Sequence, residues 1–209
     1  MRPVRLLPLR ALAALALAWG TGLGAVQAAP ADAQAQLQAW REQDQAMMGQ
    51  PEGPVTQAER RQLTAAFRQW VKAHGWPLRS EVGDTGAQSA WLLVQHADHD
   101  PAWQREALAL METLRPRGEV NLSDLAYLRD RVAMATTGRQ SYGTQGACQG
   151  PGQWEPFAIE EPASLDSRRE AMALPSMSRY RAQASRVLCS AERLAAKAAA
   201  PASAGSAAH

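Results

Sequence analysis

The sequence predicts an all-α protein: a single compact multi-helix domain with a long Gly-rich loop that has room for a short β-hairpin. Two observations predict this class. Apolar residues recur at spacings of three and four along most of the chain, which is the period of a helix with one buried face. Residues typical of helix starts and ends separate these segments. The composition, 46% hydrophobic and 20% charged, is that of a chain that buries a core.

Residues 1–28 have the features of a signal peptide. Arg2, Arg5 and Arg10 precede an apolar stretch, and small residues lead up to Ala28. We expect cleavage near Ala28 and a periplasmic or secreted mature protein. The alternative is an uncleaved anchor, because the uncharged stretch is nearly long enough to span a bilayer. No later segment has that character, so we expect no stable membrane insertion after processing.

Processing also changes the charge of the chain. The full sequence has 22 Lys and Arg against 20 Asp and Glu, and without the three leader arginines the balance is 19 against 20. We therefore expect no nucleic-acid partner. The sequence has no phosphate loop, dinucleotide fingerprint, hydrolase elbow or zinc-protease motif, and we predict no cofactor. Oligomeric state is left open.

A leading helix and linker occupy residues 29–54, followed by the helical domain, residues 55–190. The leading helix has an apolar stripe of Leu37, Trp40 and Met47. Thr56 and Glu59 form a capping box for the second helix, which Gly75 ends. These signals predict two helices in succession.

The third helix, residues 87–98, differs from the others because Trp91 through Val94 point to four sides in turn. A helix that is apolar all round is normally central. Asp100 caps a fourth helix with Pro101 at its first position, and Asn121 or Ser123 caps a fifth.

Helical periodicity then stops, and residues 136–161 form the Gly-rich loop. Two more helices are predicted at residues 165–173 and 176–188. Residues 191–209 are rich in Ala, Pro and Ser, and we expect a disordered tail there. Cys148 and Cys189 are the only cysteines, so an oxidising compartment allows a disulfide, with two free thiols as the alternative.

Gln95 and His96 are the first candidate site residues, because they lie on the central helix without an obviously wet face. A buried amide or imidazole needs hydrogen-bond partners or a solvated pocket. The structural alternative is a histidine satisfied within the core. His96 and His99 are three residues apart, but Asp100 and its neighbours are better explained by the next helix start, and we predict no metal site.

Further polar candidates come from the fifth helix and the loop after it. Asp130 and Arg131 lie on the side of the helix away from its apolar stripe. The loop concentrates amide and hydroxyl groups around a glycine, and these candidate ligand-binding residues are Gln140, Tyr142, Thr144 and Gln145. Arg168 and Arg169 add guanidinium groups suited to a carboxylate or phosphate. The alternative is one internal structural network.

These segments together resemble a bacterial domain-of-unknown-function family. The resemblance rests on ordered motifs over about residues 56–181, namely Trp76-Pro77, Gln95-His96-Ala97-Asp98, Trp103-Gln104, Ala126-Tyr127-Leu128-x-Asp130-Arg131, Gln140-x-Tyr142-Gly143-Thr144-Gln145 and Arg168-Arg169. Trp103 stands where such a family usually has Phe. The resemblance points to positions without naming a reaction.

Three functions fit these residues. The first is an exported binding module that holds a small polar or anionic ligand between the central helix and the Tyr-Gly-Thr-Gln segment. The second is a hydrolase- or transferase-type enzyme with His96 as general base, Asp130 orienting it or binding substrate, and Arg131 steadying negative charge. The third is a purely structural network, with the function elsewhere.

Overall fold

The structure, a computed structural model, describes residues 31–48, 50 and 53–199. The predicted signal peptide and residues 200–209 of the predicted tail lie outside the described residues. The described helices and strands are α1 (Ala33–Met48), α2 (Pro54–His74), α3 (Arg79–Gln95), α4 (Pro101–Leu114), α5 (Leu122–Thr136), β1 (Gly146–Gly150), β2 (Gln153–Pro156), α6 (Leu165–Ala171), α7 (Met177–Leu188) and α8 (Ala191–Ala199). The predicted all-α class is confirmed, and the loop contains the short hairpin.

Helix α2 begins earlier than the capping box predicts. Gly53 is the N-cap and Pro54 follows at the first helical position, where its missing N–H has no intrahelical acceptor to lose. Thr56 lies inside the helix, so the capping prediction was wrong. At the other end Gly75, with a φ of 81°, donates its N–H to Val71 and ends the helix as expected.

Helix α3 is central, and it packs against α1, α2, α4 and α5. It starts at Arg79 and kinks at Gly83, whose φ of 68° is outside the helical range. The helix ends at Gln95, and His96 is its C-cap residue. The helix therefore begins and ends earlier in the chain than the predicted span of residues 87–98.

The core is built around Phe67 of α2. Its ring meets those of Trp40, Trp76 and Trp103 edge to face, with centroid distances of 5.9, 6.2 and 6.2 Å. Trp103 is fully buried near the start of α4, where the Asp100 side chain accepts the Trp103 N–H as predicted.

A second, smaller cluster joins the hairpin to α7. Trp154 of β2, Ala184 and Cys189 are its buried members. Cys148 of β1 and Cys189 form a disulfide, with their Cα atoms 5.6 Å apart. The disulfide thus ties the hairpin to the end of α7.

Helix α8 differs from the sequence expectation. Its nine residues occupy the start of the segment predicted to be a disordered tail. Ala, Leu, Glu, Arg and Lys in this stretch are all good helix formers, which accounts for the difference. Among the described residues, no helix combines the length and hydropathy needed to cross a membrane.

Candidate functional site

Asp130 anchors the Gly-rich loop to α5. Its carboxylate is fully buried and accepts the backbone N–H groups of Ser141, Tyr142 and Thr144 at 2.9, 3.0 and 2.9 Å, and the Thr144 hydroxyl at 2.9 Å. Burial raises the pKa of the Asp130 carboxyl, and these four donors act against that shift. The loop can wrap the carboxylate because Gly143 takes a φ of 68°.

The buried side chain of Gln140 holds the same loop together through hydrogen bonds to its backbone. Its side-chain Nε2 donates to the carbonyls of Gln145 and Phe157 at 2.8 and 3.1 Å. Its Oε1 accepts the Gln145 N–H at 2.8 Å, and the side chain is fully buried. Gln140 therefore uses both ends of its amide inside the fold and is not placed to contact a ligand.

Arg168 also holds the loop. Its guanidinium donates to the carbonyls of Ser141, Glu160 and Glu161, at 2.8, 2.6 and 3.2 Å, and to the Ser164 hydroxyl at 2.5 Å. A guanidinium whose N–H groups donate to backbone carbonyls has few donors left for a ligand. The structure thus gives Arg168 a positioning task beside the loop.

Arg169, the next residue, has a different environment. It is fully buried, donates Nε to the Pro175 carbonyl at 2.7 Å and Nη1 to the Tyr142 carbonyl, and lies 4.8 Å from the ring centroid of Tyr180. No carboxylate of the described residues forms an ion pair with it. Burial lowers the pKa of the Arg169 guanidinium. The charges of Asp166 and Asp130 act against that shift. Among the described residues, this buried cation therefore has carboxylates in its surroundings but none in direct contact.

A line of aromatic side chains leads from Arg169 to the central helix. Tyr180 of α7 meets Tyr127 of α5 at 6.1 Å between ring centroids, and Tyr127 meets Trp91 of α3 at 5.9 Å. Gln95 lies one turn beyond Trp91 on the same face of α3. We call these five residues, Trp91, Gln95, Tyr127, Arg169 and Tyr180, the tyrosine row.

The tyrosine row joins the loop through Thr144. The Tyr180 hydroxyl donates to the Thr144 carbonyl at 3.0 Å, and the Gln145 side chain donates to the Thr144 hydroxyl at 3.1 Å. Burial raises the pKa of Tyr127 and Tyr180. Both tyrosines therefore stay protonated and act as hydrogen-bonding and packing groups.

Three polar atoms of the tyrosine row are buried without a hydrogen-bond partner in the described part of the chain. They are Trp91 Nε1, Gln95 Oε1 and Arg169 Nη2. Gln95 is 5% exposed, whereas the rings of Trp91, Tyr127 and Tyr180 are half-buried and reach solvent. A buried polar atom without a partner costs about 1–3 kcal/mol, so each one needs an explanation.

His96 lies elsewhere, against α1 and α2. Its Nδ1 is 2.7 Å from Oδ2 of Asp44, a buried carboxylate of α1. The imidazole lines a cavity of about 10 Å³, shared with Arg60 and Thr64 of α2. We expected Asp130 to orient His96, but in the structure the carboxylate that contacts the His96 ring is that of Asp44.

Arg131 also lies apart from the loop. Its guanidinium pairs with the exposed Asp98 at 2.5 Å, just beyond the end of α3. The Asp98 carboxylate also accepts the side-chain amide of Gln104 at 3.2 Å. The three expected catalytic residues, His96, Asp130 and Arg131, are thus divided among three hydrogen-bonded groups.

Sequence reasoning missed Asp44, although one signal was present. Asp44 follows Trp40 by four residues and precedes Met47 by three, so a carboxylate stands on the apolar stripe of the leading helix. A charged residue on a buried stripe requires a partner. Periodicity shows that requirement without showing that the partner is His96.

Comparison with known proteins identifies a family. The model of a family described as being of unknown function, DUF6624, matches residues 25–194. No curated protein and no solved structure matches the chain. The match supports the resemblance to a domain-of-unknown-function family and adds no reaction or ligand.

Proposed function

The chain belongs to the DUF6624 family, whose function is unknown, and from the site we propose that it is a binding module for a small anionic ligand. The ligand binds on the tyrosine row, between α3, α5 and α7. One observation carries this proposal: the fully buried Arg169 has an unpartnered Nη2 and no ion-pair partner among the described residues.

A buried charge is stable only when it is paired and hydrogen-bonded. The Arg169 guanidinium has some of these contacts within the fold: it donates to the carbonyls of Tyr142 and Pro175 and lies over the ring of Tyr180. A carboxylate or phosphate group would supply an anion in direct contact with the guanidinium and accept from Nη2. Because the Tyr180 ring covers the guanidinium, we expect the ligand to displace this ring.

The other two unpartnered atoms narrow the chemistry of the ligand. Gln95 Oε1 is an acceptor and requires a hydroxyl or N–H donor, whereas Trp91 Nε1 is a donor and requires an acceptor. The half-buried aromatic rings offer apolar contact around these polar groups. The best match is a small acid that also carries hydroxyl or amide groups, such as a sugar acid, sugar phosphate or amino acid.

Export is part of this proposal. A leader ending near Ala28 and the disulfide between Cys148 and Cys189 both favour a periplasmic or secreted protein. The ligand would then come from the cell envelope or the medium. N-terminal sequencing of the protein recovered outside the cytoplasm tests the cleavage.

Ligand-induced stabilisation tests the binding proposal. The mature chain is heated with a panel of sugar acids, sugar phosphates and amino acids, because a ligand that binds only the folded state raises the Tm. Hits are then titrated against Arg169→Lys, which keeps the charge but loses the planar fork. We expect affinity to fall at least about tenfold.

The matched control is Arg179→Lys on the exposed side of α7, which should leave affinity unchanged. The proposal fails if no panel member raises the Tm, or if the two variants weaken binding equally.

A second candidate function rests on the pair of His96 and Asp44. A carboxylate on Nδ1 fixes the tautomer of an imidazole and leaves Nε2 as the basic nitrogen. No described residue hydrogen-bonds to Nε2, and the ring is 21% exposed. This arrangement suits a general base in a hydrolase- or transferase-type enzyme, with Asp44 as the positioning residue.

An enzyme would convert a bound panel compound into a product, whereas a binding module would not. Each hit is incubated with the protein and followed by NMR. Turnover that His96→Gln abolishes, and Asp44→Asn reduces with an altered pH profile, supports the enzyme. If every hit is recovered unchanged, the enzyme proposal fails and the binding proposal stands. If turnover survives in His96→Gln, His96 is not the general base.

A further inference from the structure

The hairpin and α7 form a packed unit with a small core of its own. Trp154 of β2, Ala184 of α7 and Cys189 are buried together in a cluster that is separate from the core around Phe67. Helix α7 packs mainly against β2. Neighbouring elements that share one buried cluster open and close cooperatively. We therefore expect the hairpin and α7 to behave as a single unit.

A disulfide and two hydrogen bonds tie the hairpin to α7. The disulfide joins Cys148 of β1 to Cys189 at the end of α7, and the Cys189 carbonyl accepts the N–H of Gly152 in the hairpin turn at 2.7 Å. The backbone N–H of Trp154 donates to the Ser185 hydroxyl of α7 at 3.1 Å. These links leave the hairpin and α7 little freedom to move relative to each other. We call β1, β2 and α7 together the lid.

Tyr180 of α7 attaches the lid to the tyrosine row. Its ring lies 4.8 Å from the Arg169 guanidinium and 6.1 Å from the centroid of the Tyr127 ring, and its hydroxyl donates to the Thr144 carbonyl at 3.0 Å. The same ring meets that of Trp154 edge to face within the lid, at 5.3 Å between centroids. Because the Tyr180 ring is packed against Trp154, we expect it to move with the lid and not to turn alone.

Three polar atoms of the tyrosine row are enclosed in this structure. Trp91 Nε1, Gln95 Oε1 and Arg169 Nη2 are buried from solvent and have no partner in the described part of the chain. A ligand from solution therefore reaches them only if the protein moves. Arg169 also donates its Nε to the carbonyl of Pro175, just before α7 begins. The guanidinium thus lies beside the point from which α7 would swing.

We propose that the lid opens and closes as one body over the tyrosine row and so controls the access of the anionic ligand to Arg169. Opening breaks the hydrogen bond from Tyr180 to Thr144 and uncovers the guanidinium. Closure around a bound ligand excludes water from its contacts with the row. The inference rests on the proposed function for the role of the row, but the motion itself can be tested without a ligand.

Hydrogen exchange of the mature chain tests the motion. The amides of β1, β2 and α7 should exchange through one shared opening, whose free energy lies below that of global unfolding and falls with denaturant along a single slope. The most protected amides of α3 should exchange only on global unfolding. Different opening free energies for the hairpin and α7, or exchange of both only on global unfolding, would overturn the lid proposal.

Modification by phenylglyoxal, a small dicarbonyl that reacts with guanidinium groups, tests access to Arg169. Tyr180→Phe removes the hydroxyl that donates to Thr144 and should speed the modification of Arg169 about fivefold, since one hydrogen bond contributes roughly that factor to an opening equilibrium. The matched control is Tyr142→Phe, because the Tyr142 hydroxyl accepts from Arg129 of α5 at 2.8 Å, outside the lid. This variant should leave the rate at Arg169 unchanged. Mass spectrometry of peptides measures both rates.

The exposed Arg179 of α7 gives a reference rate in the same experiment. Modification of Arg169 as fast as that of Arg179 in the wild type, no acceleration in Tyr180→Phe, or equal acceleration in both variants contradicts the lid proposal. Melting curves confirm that the variants fold, and the exchange test on the wild type depends on neither. If the shared opening is found but no panel anion raises the Tm, the binding proposal fails and the lid stands. If a panel anion binds without a shared opening, the lid proposal fails and the binding proposal stands.

Discussion

Replacing Gln95 by methionine tests whether the tyrosine row is a binding site or a structural network. Methionine has nearly the volume of glutamine and no amide. Gln95 Oε1 is buried without a partner in the described part of the chain, so its removal relieves an unsatisfied polar group. Removing a buried acceptor without a partner should raise the free energy of unfolding by about 1 kcal/mol, which is the low end of the cost of burying an unpaired polar atom. We therefore expect Gln95→Met to be more stable than the wild type.

A protein of this length changes its Tm by about 2–4 °C for each kcal/mol, so the expected rise is of that order. Gln104→Met is the matched control, because Gln104 is also buried, at 2% exposure, but its Nε2 donates to the Val94 carbonyl at 3.1 Å and to Asp98 at 3.2 Å. This variant removes both hydrogen bonds of the buried Gln104 amide, although Arg131 still pairs with Asp98 and the Ala97 N–H still donates to the Val94 carbonyl. It should lose about 1–3 kcal/mol, since a hydrogen bond contributes about 0.5–1.5 kcal/mol and one to a charged group more.

Differential scanning calorimetry and panel titration give the two readouts. A residue kept at a cost in stability for function should show higher stability and weaker ligand binding when it is replaced. If Gln95→Met loses as much stability as Gln104→Met, Gln95 is a satisfied core residue and our interpretation of the tyrosine row is refuted.

Three further predictions concern stability and pH. Asp130→Asn should lower the free energy of unfolding by about 3 kcal/mol in urea titration, because an amide cannot accept all four loop donors; an unchanged midpoint would exclude the anchoring role. Reduction of the bond between Cys148 and Cys189, which are 41 residues apart, should cost about 4 kcal/mol, and Cys148→Ser should then be insensitive to reductant. Burial raises the pKa of the Asp124 carboxyl to about 6. Between about pH 4 and pH 6 the folded state therefore binds more protons than the unfolded state. The free energy of unfolding should fall as pH rises through this range, by at most about 3 kcal/mol. Asp124→Asn should flatten that part of the pH profile, and a stability that rises with pH in both proteins would contradict the assignment.

The helices were predictable because each is defined by local signals. Asp100 and Pro101 mark the start of α4, and Gly75 marks the end of α2, through contacts within one helical turn. The start of α3 was placed too late. A glycine can end a helix or only kink it, and in the structure Gly83 kinks α3, which begins at Arg79. A glycine signal does not say which of these two outcomes occurs.

The candidate site was less predictable because its contacts cross long distances in the sequence. The sequence placed Asp130 on the polar side of α5, which is normally solvated, yet the loop folds over that side and buries it. His96 pairs with a residue 52 positions earlier, and Arg169 with a carbonyl 27 positions earlier. Periodicity identifies a polar side chain that needs a partner, but tertiary packing selects the partner.

The NMR signal of the Trp91 indole N–H tests the central claim most directly. This group has no partner among the described residues, as is also true of the Trp103 indole, which is fully buried in the core. On titration with the sugar acids, sugar phosphates and amino acids, our proposal predicts a saturable shift of the Trp91 signal with one class of anion and no shift for Trp103. A Trp91 signal that no anion moves, or that moves only together with that of Trp103, would contradict the proposal.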